Sequence, residues 1–321
     1  MGLEHVGHAD IVRFARARVN LPQEDADDLK GQALRLTKRL ENYLEEHPQF
    51  ELRRVMLSGS LAKGTALQST SDVDVGCYVS SDSAPHEIGK LIDWLAKKLE
   101  TAFANLQPEQ ITRKDYSVSV TFKTTGNEVD VVPILYDGDK QWRGYLYSKD
   151  TGDTLLTSIP MHLEFIAKRK QANKTHFSQL VRLIKYWAAI QKREVEGFRF
   201  KSFMAELILA HLADRGAALG DYPGALAQFF NFVAADEFAT TIAFSDYYNP
   251  SSCAKTSDTV RIWDPVNCEN NVAKLYDENN KQLIVEAALD AGDAIASASR
   301  AVTKSETVRY WQKVFGPSFN A

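Results

Sequence analysis

The sequence has little cysteine, glycine or proline. Its only cysteines are Cys77, Cys253 and Cys268, which form no C-x-x-C pair and are odd in number. A disulfide framework or a cysteine zinc site is therefore not indicated. Glycine and proline number only 17 and 10, and no segment approaches the run of about 18 apolar residues that a membrane helix needs. We therefore expect a globular protein with no membrane partner.

No charge of one sign predominates. Lys and Arg total 38 against 42 Asp and Glu, which gives a net charge of −4 and argues against broad coating of nucleic acid. Positive charge is concentrated in residues 161–201, where ten basic residues face three Glu. This segment is either a solvated helix face or a surface for phosphates. The first residues lack a basic region followed by an apolar run, so we expect a cytoplasmic protein.

Hydrophobic periodicity divides the chain into a mixed part and a helical part. Apolar residues at three- and four-residue spacing predict a long helix over 24–46, which ends before Pro48. Next, we expect strands at 55–57, 72–79, 117–122 and 128–134, and one helix at 85–105. Residues 136–158 look like a loop. Beyond them the pattern predicts helices at 160–173, 175–193, 202–215, 223–237, 272–299 and 303–314.

Three aspartates stand out on the expected strands. Asp72 and Asp74 are two residues apart, so their side chains would project from the same face of one strand. Asp130 interrupts a later, otherwise apolar strand, where a carboxylate requires a partner. Adjacent carboxylates repel each other unless a cation neutralises them, and Mg²⁺ prefers such oxygen ligands. The three residues are therefore a candidate site for two metal ions, although an Asp-x-Asp pair alone also occurs on ordinary exposed strands.

A tight turn precedes the first of these strands. Gly59 has no Cβ, which lets backbone N–H groups approach a ligand, and Ser60 adds a hydroxyl group. Such a turn suits the triphosphate of a nucleotide, whereas Gly-Ser alone would be an ordinary turn. The signal lies in its combination with the paired aspartates.

These motifs resemble the DNA polymerase β-like nucleotidyltransferases. The run 57–65 (LSGSLAKGT), followed by 71–74 (SDVD) and later by 129–133 (VDVVP), resembles that superfamily. The oligoadenylate synthetase and cGAS/DncV-like branch is the most similar. Residues 180–187 (LVRLIKYW) resemble a helix that carries a phosphate-binding lysine, and 263–273 resemble a late Asp-Pro loop. Within the branch, the bacterial CD-NTases of CBASS anti-phage operons fit best.

The resemblance implies a reaction and a set of residues. CD-NTases join ribonucleoside triphosphates into cyclic oligonucleotide messengers, release pyrophosphate, and use two Mg²⁺ ions, for which Mn²⁺ can substitute. Carried over residue by residue, it makes one set of aspartates both catalytic and metal-binding: Asp72, Asp74 and Asp130. The implied nucleotide ligands are Gly59, Ser60, Lys185, Ser202 and Asn271.

The resemblance also implies partners. The substrates would be ATP, with GTP or UTP as further candidates, and a downstream effector would be reached through the nucleotide product. Some relatives are joined through their C-terminal carboxylate to other molecules by ubiquitin-transfer-like partners, and Ala321 would suit that attack. We expect the tail after the Gly316-Pro317 pair to be mobile, because residues 318–321 show no periodicity.

The expected fold is α+β and bilobal. It comprises an N-terminal spine segment (1–47), a mixed-sheet nucleotidyltransferase lobe (48–158) and an oligoadenylate synthetase-like helical lobe (159–321). Three alternatives remain open: an enzyme that extends RNA ends, one that modifies a small molecule, and a non-catalytic nucleotide-binding scaffold. An extended basic surface would favour the first, and loss of a carboxylate would favour the third.

Overall fold

The structure is a computed structural model, and it describes residues 5–46, 52–70, 72–80, 88–103 and 105–320. Contacts divide the chain into two compact units. One unit is continuous and runs from Leu21 to Glu164. The other joins the described residues up to Asn20 with those from Phe165 onward. None of the described helices combines the length and the apolar character needed to cross a bilayer.

The continuous unit is built on a mixed sheet. Its elements are α2 (Gln23–Glu46), β1 (Leu52–Leu57), α3 (Gly59–Lys63), β2 (Asp72–Ser80), α4 (Leu91–Ala102), β3 (Ile111–Arg113), β4 (Val118–Thr121), β5 (Glu128–Tyr136), β6 (Gly144–Tyr147) and β7 (Thr154–Thr157). The strand order is β1-β2-β5-β4-β3, with β6 pairing with both β5 and β7. Strands β2 and β5 are parallel, whereas the other pairs are antiparallel.

Alternation along the two central strands determines which face carries the core. Val73 and Val75 of β2, with Val129 and Val131 of β5, pack with apolar side chains of α2 and α4 in one core. Residues at even positions lie on the opposite face, because side chains alternate along a strand. The aspartates are therefore kept on the face that the two helices leave uncovered.

The second unit is helical. It contains α1 (His8–Phe14), a π-helical turn (Ala15–Val19), most of α5 (Ile159–Asn173), α6 (His176–Glu194), α7 (Ser202–Asp214), α8 (Tyr222–Asp236), α9 (Glu278–Arg300) and α10 (Lys304–Phe315). The apolar side chains of α6 that were expected on one face are buried, among them Phe177, Leu180, Ile184 and Trp187. The α+β class and the helix expected over 24–46 are thus confirmed.

Several expectations were wrong. The stretch 136–158, expected to be a loop, contains β6 and β7, and the short β3 was also missed. Helix α9 begins at Glu278, after its N-cap Asp277, rather than at residue 272. The tail is anchored at Phe319, which is fully buried among aromatic rings of the helical unit. Ala321 and Ser71 lie outside the described residues.

Candidate active site

The sheet brings four carboxylates together on one face. In the parallel pairing of β2 with β5, Asp74 is directly opposite Asp130 and Asp72 is opposite Glu128. Since paired positions on neighbouring strands lie about 5 Å apart, the four side chains form a compact acidic block. Asp72 and Asp74 share a face, as their spacing predicted, and the strand pairing places Asp130 on that same face. Glu128 is an addition that the sequence reading missed, although its spacing of two from Asp130 was visible.

The block places Asp74 under electrostatic strain. Burial, together with the negative charges of Asp72 and Asp130, raises the pKa of Asp74 to about 6. The cations Lys63 and Lys114 act in the opposite direction without cancelling the effect. The site therefore holds more negative charge than its surroundings neutralise, which is the condition that a bound cation relieves.

Gly59 packs directly against Asp74. Its φ is +65°, a left-handed conformation, and a Cβ built on it would lie 1.7 Å from Asp74 Oδ2. The backbone of the same turn is fixed to β2, because Ser58 N donates to the Asp74 carbonyl at 2.8 Å. Gly59 and Ser60 begin α3, immediately beside the aspartate pair. Only glycine fits here, and its role is to let the turn reach the carboxylate.

Lys114 binds two members of the acidic block. It lies just after β3, and its ammonium donates to Asp130 Oδ1 at 2.9 Å, to Asp130 Oδ2 at 3.0 Å and to Glu128 Oε2 at 3.1 Å. The bond from Lys114 lowers the pKa of Glu128, which also accepts from Ser119 Oγ at 3.1 Å. Sequence reasoning missed Lys114, because nothing local indicates that the β3–β4 turn places it beside β5.

The donor set can be tested for a divalent ion. No group of three or more Asp, Glu, His or Cys side chains among the described residues is already arranged to hold a metal ion. The chemistry of the block nevertheless fits Mg²⁺, because it offers carboxylate oxygens, an excess of negative charge and one position where a cation, Lys114, is already bound. The residues that would hold the ions are Asp72, Asp74 and Asp130.

The remaining predicted nucleotide ligands lie in the helical unit. Lys185 is buried within α6, with 9% of its surface exposed. Ser202 is exposed at the first residue of α7. Lys201 precedes it, and its Nζ donates to the Val272 carbonyl at 2.8 Å. That bond connects the start of α7 to the late Asp-Pro loop.

The side-chain amide of Asn271 makes all of its hydrogen bonds within the protein. Its amide nitrogen donates to Asp258 Oδ2 at 2.8 Å and to the Val260 carbonyl at 2.7 Å. Its oxygen accepts from Ile262 N at 3.0 Å and from Ala273 N at 3.1 Å. These four bonds exhaust the two donors of the amide and the two lone pairs of its oxygen. A direct bond from Asn271 to a nucleotide would require one of them to break.

Comparison with known proteins relates this geometry to a family. Residues 8–173 match the Second Messenger Oligonucleotide or Dinucleotide Synthetase (SMODS) domain. The chain is 52% identical to the Cyclic AMP-AMP-AMP synthase of Escherichia coli strain MS 115-1, over 99% of both chains. It is 29% identical to the CBASS oligonucleotide cyclase CdnC of Escherichia coli strain KTE188, over 96% of both chains.

Solved structures agree with these sequence matches. The structure of Escherichia coli MS115-1 CdnC with ATP superposes with a TM-score of 0.93 at 52% identity, covering 99% of this chain and 100% of that one. A complex of the same CdnC with HORMA-deltaN gives 0.93 at 51% identity, covering 100% of both chains. Vibrio cholerae DncV, a cyclic AMP-GMP synthase, gives 0.74 at only 12% identity, over 99% of this chain and 98% of that one, and shows the shared fold alone. The chain therefore belongs to the SMODS family and is an enzyme, a cGAS/DncV-like nucleotidyltransferase.

Proposed function

We propose that this enzyme joins ATP into a cyclic tri-AMP messenger in a CBASS anti-phage system, using Mg²⁺ and releasing pyrophosphate. The observation that carries the proposal is the register of the sheet, which sets Asp74 opposite Asp130 beside the Gly59 turn. The choice of product rests on the 52% identity to a Cyclic AMP-AMP-AMP synthase, and the CBASS role rests on the CdnC relatives.

Each part of the site has a task in this reaction. Asp72, Asp74 and Asp130 would hold two Mg²⁺ ions, which when bound increase the acidity of a ribose hydroxyl and neutralise the leaving pyrophosphate. The Gly59 backbone and the Ser60 hydroxyl would orient the triphosphate of the donor nucleotide. Lys185 and Ser202 would contribute a charge and a hydroxyl donor to the same phosphates. No side-chain nucleophile is required, because the hydroxyl of one nucleotide attacks the α-phosphorus of another.

The neighbouring structures also support two binding partners. One CdnC structure was solved with ATP and another in complex with HORMA-deltaN, so we propose ATP as substrate and a HORMA-domain protein as a binding partner of this chain. A ubiquitin-transfer-like partner at the C-terminus remains part of the proposal. Because Phe319 is buried, such a partner would reach the chain only beyond that residue.

The product can be tested directly. The purified enzyme is incubated with ATP, GTP, CTP and UTP, singly and mixed, with Mg²⁺ or Mn²⁺, and phosphatase-resistant products are identified by mass spectrometry. A cyclic AMP trimer from ATP alone is expected. A mixed-base cyclic product would disprove the tri-AMP assignment, and linear products only would disprove cyclisation. Parallel reactions include a HORMA-domain protein of the kind found in the complex of the related CdnC.

The carboxylates are tested by Asp74→Asn and Asp130→Asn. Each substitution keeps the side-chain volume while removing a negative charge, so product formation should fall at least about 100-fold. Thermal stability without metal should not decrease in Asp74→Asn, whereas Asp130→Asn also removes the charge that Lys114 binds and should lower it. Asp93→Asn is the matched control, because Asp93 lies on α4 and pairs with Arg113. Wild-type rates in the Asp74 variant would rule out the metal-dependent reaction at this site.

A further inference from the structure

The Lys114 ammonium uses all of its hydrogen-bond donors within the acidic block. An ammonium group has three N–H donors, and the three carboxylate oxygens that Lys114 contacts at 2.9, 3.0 and 3.1 Å account for all of them. Both oxygens of Asp130 are occupied by this one cation. The Asp130 side chain is only 13% exposed. The Lys114 side chain is 41% exposed, so the ammonium lies at the solvent edge of the block while the carboxylate it holds is largely buried.

The turn that carries Lys114 is fixed independently of the site. The neighbouring residue, Asp115, accepts at Oδ1 from Ser148 Oγ and from Asp150 N, both at 2.8 Å. Its carbonyl accepts from Lys149 N at 3.0 Å. The main chain is thus held against the turn between β6 and β7, and only the flexible side chain of Lys114 reaches the carboxylates.

A divalent ion at Asp130 would compete with this lysine. Metal and ammonium need the same carboxylate oxygens, and two cations that close to each other repel. Glu128 offers Lys114 an alternative position, since it already accepts one of the three bonds and is itself held by Ser119. On metal binding, the ammonium can keep Glu128 while it releases both oxygens of Asp130.

We infer that Lys114 is the resident counter-ion of the metal-free site, which holds Asp130 in place and yields it to the incoming divalent cation. The inference rests on the proposed function, because it takes Asp130 to be a metal ligand. It makes Lys114 a positioning residue that sets the metal concentration at which the enzyme loads. Glu128 is the residue that retains the displaced ammonium.

The test measures binding of Mn²⁺ alone by electron paramagnetic resonance of the free ion at pH 7.5. Lys114→Met should tighten Mn²⁺ binding by about tenfold, since the metal no longer displaces a charge-assisted pair. The same variant should have a lower melting temperature without metal and a larger increase when Mn²⁺ is added. Lys114→Arg, which keeps the charge, should remain near the wild-type affinity.

Arg113→Met is the matched control. It removes a positive charge from the adjacent residue, whose partners are Asp93 and Glu100 outside the acidic block. Its Kd for Mn²⁺ should stay within about twofold of wild type. Lys114→Gln, which keeps a hydrogen-bonding side chain, serves as a second variant should the methionine variant fail to fold, and should also bind Mn²⁺ more tightly.

The outcomes separate this inference from the proposed function. If Asp74→Asn abolishes Mn²⁺ binding while both neutral Lys114 variants bind it as wild type does or more weakly, the counter-ion role is wrong and the metal site stands. If Asp74→Asn binds Mn²⁺ as tightly as wild type, the metal site itself is wrong. Tighter binding in both neutral variants, with no change in Arg113→Met, supports the inference.

Discussion

At the residue scale, the contact between Gly59 and Asp74 is the most restrictive in the site. Two demands act on Gly59 at once: its φ of +65° disfavours any side chain, and the Asp74 carboxylate occupies the space of a Cβ. The first demand concerns stability, and the second concerns the position of a carboxylate. The two effects can be separated by experiment.

Gly59→Ala should reduce product formation by about 100-fold, because displacing a reacting group by about 1 Å has that effect. The left-handed conformation should also lower the free energy of unfolding by about 1–2 kcal/mol. Turnover of ATP and urea-induced unfolding measure the two effects.

Gly126→Ala is the control for backbone strain. Gly126 lies in the β4–β5 turn with a φ of +73°, and no other atom lies within 4 Å of the position that a Cβ would occupy there. The Gly126→Ala variant should lose a similar amount of stability, while its activity should stay within about twofold of wild type. Equal losses of activity in both variants would show that strain, rather than contact with Asp74, explains the effect.

The sequence was informative about the aspartates because their signal is local. A spacing of two residues assigns Asp72 and Asp74 to one face, and an isolated carboxylate in an apolar strand marks Asp130. Lys114 reaches Asp130 only through the pairing of three strands, and no periodic pattern encodes that contact. The same limit applies to Asn271, whose four bonds depend on how its loop folds back on itself.

At the scale of elements, an arginine on α5 ties three segments together. Arg169 donates to both oxygens of Asp246 at 2.8 Å and also binds Asp214 at the end of α7. The Arg169 and Asp246 side chains are 7% and 11% exposed. Burial alone would raise the pKa of Asp246, but the hydrogen bonds and charge of Arg169 outweigh burial and hold it below the ordinary value. The pair therefore stabilises the folded state whenever Asp246 is ionised.

Asp246→Asn should lower the free energy of unfolding at pH 7 by about 3 kcal/mol, because it removes the more buried of the two carboxylates that pair with the buried Arg169 guanidinium. The folded-state pKa of Asp246 is depressed, so its contribution is complete above the unfolded pKa of about 4 and is lost as the pH falls below it. The difference in the free energy of unfolding between wild type and Asp246→Asn should therefore decrease as the pH falls below about 4. Urea unfolding across pH measures this difference, and the exposed Asp137→Asn should change stability little at any pH.

Elements with a strong period were predictable, and those defined by tertiary pairing were not. The helices α2 and α6 followed from apolar spacing. Strands β6 and β7 have only four residues each, too few for alternation to stand out, and their existence depends on β5 as a neighbour. Phe319 follows a Gly-Pro pair with no repeating pattern, and its burial depends on rings elsewhere in the chain.

At the scale of the whole molecule, the two ends of the chain meet in one unit. The Phe14 ring lies 4.8 Å from that of Phe319 and 5.3 Å from that of Phe315, centroid to centroid. Trp311 stacks on Phe315 in the same group. All four side chains are buried. The N-terminal helix is thus part of the core against which the C-terminal helix packs.

Phe14→Ala should lower the free energy of unfolding by about 3–5 kcal/mol, as expected for deletion of a buried ring. Amide hydrogen exchange should become faster in α10, almost three hundred residues further along the chain, because that helix loses a packing partner. Mass spectrometry of exchange locates the change. Arg16→Ala, at an exposed position nearby, should leave α10 protected, and faster exchange confined to α1 in the Phe14 variant would contradict the shared core.

The division of the chain also sets an order of events during synthesis. The segment from Leu21 to Glu164 leaves the ribosome as one uninterrupted block. The sheet can therefore fold, and bring its aspartates together, before the second unit is complete. The residues up to Asn20 emerge before it, yet the rest of their own unit begins only at Phe165. Phe14 stacks on Phe315, about 300 residues later. At about 5–20 residues per second, the nascent chain carries Phe14 without that partner for about 15–60 seconds. During that interval the apolar face of the first helix is available to chaperones, and a release of the chain before Phe319 is made would leave it uncovered.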